Sequence, residues 1–193
     1  MTPIEHKLKI LNPEARKNIS KLLVEVEKGI DLLYELATRD EKTGVYNHKF
    51  FQTIFEMEFD KALRGRQLSL MIIDLDHFKR INDTYGHLTG DKILKRLAEI
   101  LTKQLRKYDI IARFGGEEFF IIYPNTPISK AKKVGERLRK AVENDKFMKK
   151  YQSTFSGGIT EYKKGDTKSK MKERVDKALY QAKEAGRNRI KTL

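Results

Sequence analysis

The sequence predicts an α+β protein, a sheet layered with helices and preceded by one further helix. Three features carry that prediction. Short apolar runs bounded by turn residues, such as "LSLMIIDLD", have the length of buried strands. Longer segments step their apolar residues by three and four, as amphipathic helices do. Two further apolar runs, "DIIARF" and "EFFIIYP", meet across Gly115 and Gly116, which makes them a hairpin.

The elements follow in chain order. In "LNPEARKN", Asn12 suits a helix cap and Pro13 the first helical position. Ile19, Leu23, Val26, Ile30, Leu33 and Ala37 then alternate steps of four and three, a heptad seam. The seam runs about 28 Å at roughly 1.5 Å per residue, and a lone helix of that length is marginal. Two ways of burying it stand: pairing with a second copy, or packing back on its own domain. The boundary is set at "ATRDEKTGVYN", giving a helical segment over 1–37 and a second domain over 38–193.

"HKFFQTIFEMEFDKALRG" reads as an amphipathic helix ending near Gly65, and "LSLMIIDLD" as a buried strand. "GDKILKRLAEILTKQLRK" turns Ile93, Leu97, Ile100 and Leu101 inward. After the hairpin, "SKAKKVGERLRKAVEN" is a helix with Val134, Leu138 and Val142 inward. "STFSGGIT" is a strand, and "KMKERVDKALYQAKEAG" is a helix closed by Gly186. There is no internal repeat and no low-complexity segment.

Composition bounds the function. The 193 residues suffice for one well-buried core plus an appendage. No apolar segment reaches membrane-spanning length, and the N-terminus lacks the pattern of a signal peptide. The absence of cysteine excludes a disulfide framework and thiolate metal sites, and fits a reducing cytoplasm. The net charge of +14 suits a polyanionic ligand, although solvated lysine-rich helix faces explain it equally well. It lies outside 1–37, where acidic and basic residues balance.

The chemistry-bearing residues are carboxylates. Asp74 and Asp76 close the first strand, and period-two geometry puts both on one face with Leu75 opposite. Glu117 and Glu118 sit side by side at the hairpin tip. Converging like charges would repel and raise a pKa. A hard divalent cation removes that conflict, and Mg²⁺ commonly takes one or two carboxylates plus substrate phosphates. Each motif alone also suits a merely solvated tip. Between them lies "DLDHFKRINDTYGHLTGD". A strand-to-helix loop there can offer backbone N–H groups and Lys79 to a phosphate. Gly86 and Gly90 mark turns, and Asp91 has the position of a helix cap.

"DEKTGVYN", "DLDHFKRINDTYGH..GD", "ARFGGEEF" and "ALYQAKEAGRNR", in this order and spacing, resemble the GGDEF family of diguanylate cyclases. The resemblance runs from about Asp40 to about Arg189. It implies a central, mostly antiparallel five-stranded sheet flanked by helices, similar to adenylyl cyclase catalytic domains and polymerase palms. It implies two GTP molecules condensed across a homodimer into cyclic di-GMP, with two pyrophosphates released.

By the same resemblance Asp74, the Leu75 carbonyl and Glu117 hold two Mg²⁺ ions, with Mn²⁺ as an alternative. Glu117 accepts the 3′-hydroxyl proton and Glu118 assists the metals; Asp76 matches the family pattern, with a structural role as one reading. His77, Phe78 and Lys79 form the phosphate loop. Lys183 and Arg187 grip the triphosphate, sharing one face if their helix continues past Gly186. Asn82 and Asp91 read guanine: N1–H and the 2-amino group donate to a carboxylate, whereas adenine N1 is unprotonated. A mispaired buried polar group costs about 1–3 kcal/mol, or roughly 5- to 150-fold.

Arg106 and Asp109 match the family's R-x-x-D product-inhibition motif, with Arg137 as a second contact; the alternative is a helix-end ion pair. Val45 and His48 depart from the opening motif D-x-L-T-G-L-x-N, and Gly157–Gly158 thickens the strand motif S-x-G-I. The resemblance implies bacterial signalling in the cytoplasm, and the sequence has no zinc finger or recognition-helix pattern to mark a specific nucleic-acid partner. Two other functions compete: a catalytically silent cyclic di-GMP receptor, and salt-sensitive nucleic-acid binding through the basic surface.

Overall fold

The structure, a computed structural model, describes residues 12–193. The chain divides after Thr38 into two units.

The first unit is built on helix α1 (Pro13–Thr38). Asn12 caps it by accepting the Ala15 N–H at 2.7 Å, and Pro13 occupies the first helical position as expected. Its seam residues are exposed: Val26 50%, Ile30 61% and Leu33 67%.

The second unit holds helix α2 (His48–Leu63), strand β1 (Leu68–Leu75), helices α3 (Phe78–Tyr85) and α4 (His87–Gln104), and the hairpin β2 (Ile110–Gly115) and β3 (Glu118–Pro124). Helices α5 (Ile128–Asn144) and α6 (Lys146–Lys150), strand β4 (Phe155–Glu161), helix α7 (Lys168–Glu184) and strand β5 (Ile190–Thr192) complete it. The sheet order is β2-β3-β1-β4-β5. Strand β1 is antiparallel to both β3 and β4, while β4 and β5 are parallel. This is the expected five-stranded, mostly antiparallel sheet with helices around it.

Every residue of β1 is buried, which explains why its sequence is largely apolar. Side chains alternate between two cores. Met71, Ile73 and Leu75 join Leu97, Leu101, Leu138 and Val142 of α4 and α5. Leu70 and Ile72 join Phe51, Phe55 and Phe59 of α2 and Val175 and Leu179 of α7. Burying each such side chain is worth about 1.5–3 kcal/mol, so a one-residue slip of β1 is strongly disfavoured.

The paired glycines of β4 have a packing cause. A Cβ on Gly158 would lie 2.4 Å from both the Leu179 N and the Val175 O, so α7 rests directly on the strand backbone. One on Gly157 would lie 2.8 Å from the ends of Ile190 and Met71.

Three elements were not anticipated by periodicity: α3, α6 and β5. Helix α3 replaces the expected loop after β1, and Gly86, at φ 79°, separates it from α4. Gly90 is no turn; it lies buried inside α4.

Candidate active site

Antiparallel pairing sets Asp74 directly opposite Glu118. The Leu75 N–H points at the Glu117 carbonyl at 3.5 Å, so the end of β1 and the hairpin tip lie together. Arg113 braces that tip. Its Nε and Nη2 donate to the Gly116 carbonyl at 2.9 and 2.7 Å, and its Nη1 reaches Asp40 at 3.2 and 3.3 Å. Asp40 also accepts the Thr43 N–H and hydroxyl at 3.0 and 2.6 Å. The turn "DEKTG" is thereby locked to the glycine hairpin, a link that sequence reading missed because its partners are far apart in the chain.

Asp74 is buried, and Lys183 Nζ stands 2.9 Å from its Oδ2. Burial pushes the Asp74 carboxyl above its ordinary value; the Lys183 ammonium opposes that shift. Burial also raises Glu118, and the charge of Asp74 raises it further. The site is therefore a crowded set of carboxylates partly compensated by one ammonium. Among the described residues, no group of three His, Cys, Asp or Glu side chains could hold a metal alone. An ion here would need backbone or ligand oxygens as well, as magnesium sites commonly do.

Asp76 has different surroundings. Its carboxylate accepts the Thr154 and Ser156 hydroxyls, each at 2.7 Å, and the Asn188 N–H at 3.1 Å. Asn188 also joins Arg139 at 3.1 Å and Glu143 at 2.7 Å. This knot holds a loop in which Arg187 and Asn188 both have positive φ, of 60° and 43°. Such backbone costs about 1–3 kcal/mol per residue and persists only where anchored.

Helix α7 stops at Glu184, and Gly186 takes φ 107°, so Lys183 and Arg187 do not share a continuous helical face. Both nonetheless send positive potential to Asp74.

His77 turns β1 into α3 through left-handed backbone, φ 57° and ψ 30°. Phe78 is buried, whereas Lys79 is exposed at the first turn of α3, where N–H groups lack intrahelical acceptors. Asn82 on α3 lies against Gly90: a Cβ there would sit 1.9 Å from Asn82 Oδ1. That Oδ1 is buried and has no hydrogen-bond partner among the described residues. Asp91 does not cap α4, whose cap position is Gly86. Its two carboxylate oxygens instead meet Lys42 Nζ at 2.8 and 2.9 Å. Lys42 holds the leucine position of the motif D-x-L-T-G-L-x-N, and sequence reading passed over it.

Away from this cluster, Arg106, Asp109 and Arg137 line a pocket of about 170 Å³ together with Tyr123, Lys130 and Lys133. Asp109 accepts the Arg106 backbone N–H at 3.0 Å, so the bond between them is a turn closure. The Asp109 carboxyl is raised by burial. Among the described residues no helix is long and apolar enough to cross a membrane.

The chain is similar to known proteins. The family profile described as "Diguanylate cyclase, GGDEF domain" matches residues 37–189. The chain is 44% identical over 158 residues to diguanylate cyclase DgcP of Pseudomonas aeruginosa, covering 80% of this chain and 24% of that protein. It is 41% identical over 166 residues to diguanylate cyclase A of Treponema denticola, covering 82% of this chain and 45% of that one. It thus spans less than half the length of these relatives.

Among solved structures, the coiled coil and GGDEF domain of DgcB from Caulobacter crescentus, in complex with c-di-GMP, superimposes with a TM-score of 0.81. Identity is 30%, covering 93% of this chain and 98% of that one. Diguanylate cyclase SiaD of Pseudomonas aeruginosa, solved with its activator SiaC, gives 0.75 at 31% identity, covering 98% and 74%. With a family match over most of its length and the sheet and motif positions described above, the chain belongs to the GGDEF-domain family of diguanylate cyclases.

Proposed function

We propose that two copies of this chain condense two GTP molecules into cyclic di-GMP. The observation that carries the reading is the register of β1 on β3. It brings Asp74 to Glu118, and the Leu75 backbone to that of Glu117, beside Lys183.

The residues fit a hard divalent cation. Their donors are all oxygens, and the raised Asp74 and Glu118 carboxyls are the electrostatic conflict such an ion would relieve. Asp74, Glu117 and the Leu75 carbonyl would hold Mg²⁺, or Mn²⁺ in its place. When bound, the ion would supply Lewis-acid stabilisation of the attacking and leaving oxygens.

The remaining steps belong to the chain. Glu117 takes the proton from the 3′-hydroxyl of one GTP, and Glu118 keeps the surrounding field negative. The 3′-oxygen forms a bond to the α-phosphorus of the facing GTP, and the α–β bridge breaks to release pyrophosphate. The reciprocal attack closes the ring. The amides following His77, with Lys79, hold phosphate oxygens, and Arg187 adds positive charge to the grip on the triphosphate. Lys183, 2.9 Å from Asp74 Oδ2, grips the triphosphate. Asn82 and Asp91 bind guanine.

Facing active sites need a dimer, and the exposed α1 seam supplies a surface for one. The Arg106, Asp109 and Arg137 pocket suits the guanine edges of the product: arginine can donate to O6 and N7, and Asp109 can accept from N1–H. The reading places the chain in the cytoplasm with its substrate.

The test is incubation with GTP and Mg²⁺ over a range of protein concentrations. Release of one pyrophosphate per GTP, with activity per chain rising with concentration, is the expected result. Cyclic di-GMP binding without any pyrophosphate release would replace the enzyme by a receptor.

A further inference from the structure

We infer that Lys42 is a specificity-determining residue that donates to guanine O6. The inference rests on the guanine reading of Asn82 and Asp91 and extends it to a residue outside the family pattern.

The turn that carries Lys42 is fixed. Asp40 accepts from Thr43 and from Gly44, whose N–H lies 2.8 Å from its carbonyl, and Arg113 clamps the Asp40 carboxylate. The stem of Lys42 therefore starts from a rigid point and ends on Asp91, 2.8 and 2.9 Å from the two oxygens. Both side chains are partly exposed, at 44% and 38%, so the ammonium can shift without breaking a core.

Guanine presents two donors and one acceptor along its pairing edge: the 2-amino group, N1–H and O6. The protein offers the complement. Asn82 Oδ1 is a buried acceptor without a donor among the described residues, Asp91 is an acceptor, and Lys42 is a donor beside it. Each carboxylate oxygen can accept more than one hydrogen bond, so Asp91 can take N1–H while keeping part of its contact with Lys42. The free ammonium protons then face O6, the next atom on that edge. Adenine places an amino donor there and would meet the ammonium donor to donor. A leucine at this position could do neither, so the contact is particular to chains with a cation here.

The test is calorimetric binding of GTP and 6-thio-GTP to wild type, Lys42→Met and Asp91→Asn. 6-Thio-GTP keeps N1–H and the 2-amino group but replaces O6 with sulfur, a poor acceptor. Wild type is expected to prefer GTP, and Lys42→Met to weaken GTP about tenfold while changing 6-thio-GTP less than about twofold. Lys42→Arg should retain the preference. Equal weakening of both nucleotides by Lys42→Met would reduce Lys42 to a support for Asp91 and overturn the inference, as would no weakening of either. If Asp91→Asn leaves GTP affinity intact, guanine is read elsewhere and the underlying reading falls as well.

Discussion

Asp74 lies in β1 and Asp76 one residue past its end, and the two carboxylates meet opposite surroundings. Asp76 is saturated by two hydroxyls and a backbone N–H, all at the end of the sheet where α7 gives way to β5. Asp74, also buried, meets one ammonium and another carboxylate, and its pKa is raised by burial. A carboxylate whose lone pairs are spent on fixed donors holds structure together. One left partly compensated in a negative field is poised to take a cation or a proton. The D-x-D pattern in sequence is the same for both; only the partners supplied by distant segments divide the roles.

That division can be broken by paired substitutions. Asp74→Ala and Glu117→Ala should each lower turnover by about 10³-fold or more while unfolding midpoints stay close to wild type. Activity assays beside thermal melts check this. Asp76→Ala should reverse the pattern. It strands three donors and releases the left-handed Arg187–Asn188 backbone, lowering stability by about 3 kcal/mol. Urea melts would measure it. A stable Asp76→Ala protein, or an unfolded Asp74→Ala protein, would exchange the two assignments.

A smaller effect is expected beside the cluster. Gly90→Ala would drive a methyl into Asn82, whose Oδ1 lies 1.9 Å from the built Cβ, and the amide must swing away. KM for GTP should rise about tenfold with little change in kcat, as loss of one polar contact would give. Steady-state kinetics would show it.

The smallest effect is a pH dependence. Asp74 and Glu118 have folded pKa values raised above those of the unfolded chain, so their burial costs nothing below the ordinary carboxylate range. The cost grows as pH rises from there through the raised values. A divalent cation binds the ionised form and offsets it. Mg²⁺ should therefore raise the unfolding temperature by a few degrees at pH 8 and by less at pH 5. Melts with and without the ion would test the sign.

Much of the fold was legible because it rests on local pattern. The short, bounded apolar run of β1, the glycine hairpin and the inward faces of α4 and α5 can all be read from neighbouring residues. Helix α3 was hidden because "FKRINDTY" buries only Phe78 and Ile81. Strand β5 is three residues long and gains its place from parallel pairing with β4. The site was legible as separate motifs, and family resemblance put them in one place. The Lys42–Asp91 pair, the Arg113–Asp40 brace and the Asn188 anchor were not, since each joins segments dozens of residues apart and no periodicity signals them. The continuous Lys183–Arg187 helix face failed for a local reason: Gly186 ends the helix in left-handed backbone.

The claim that Asp74, and not its neighbour, receives the ion can be measured without catalysis. Mn²⁺ is titrated into wild type, Asp74→Asn and Asp76→Asn in the presence of a slowly reacting GTP analogue, and the free ion is followed by electron paramagnetic resonance. The account predicts uptake by wild type, its loss in Asp74→Asn, and its retention in whatever fraction of Asp76→Asn is folded. Undiminished uptake by folded Asp74→Asn would contradict it.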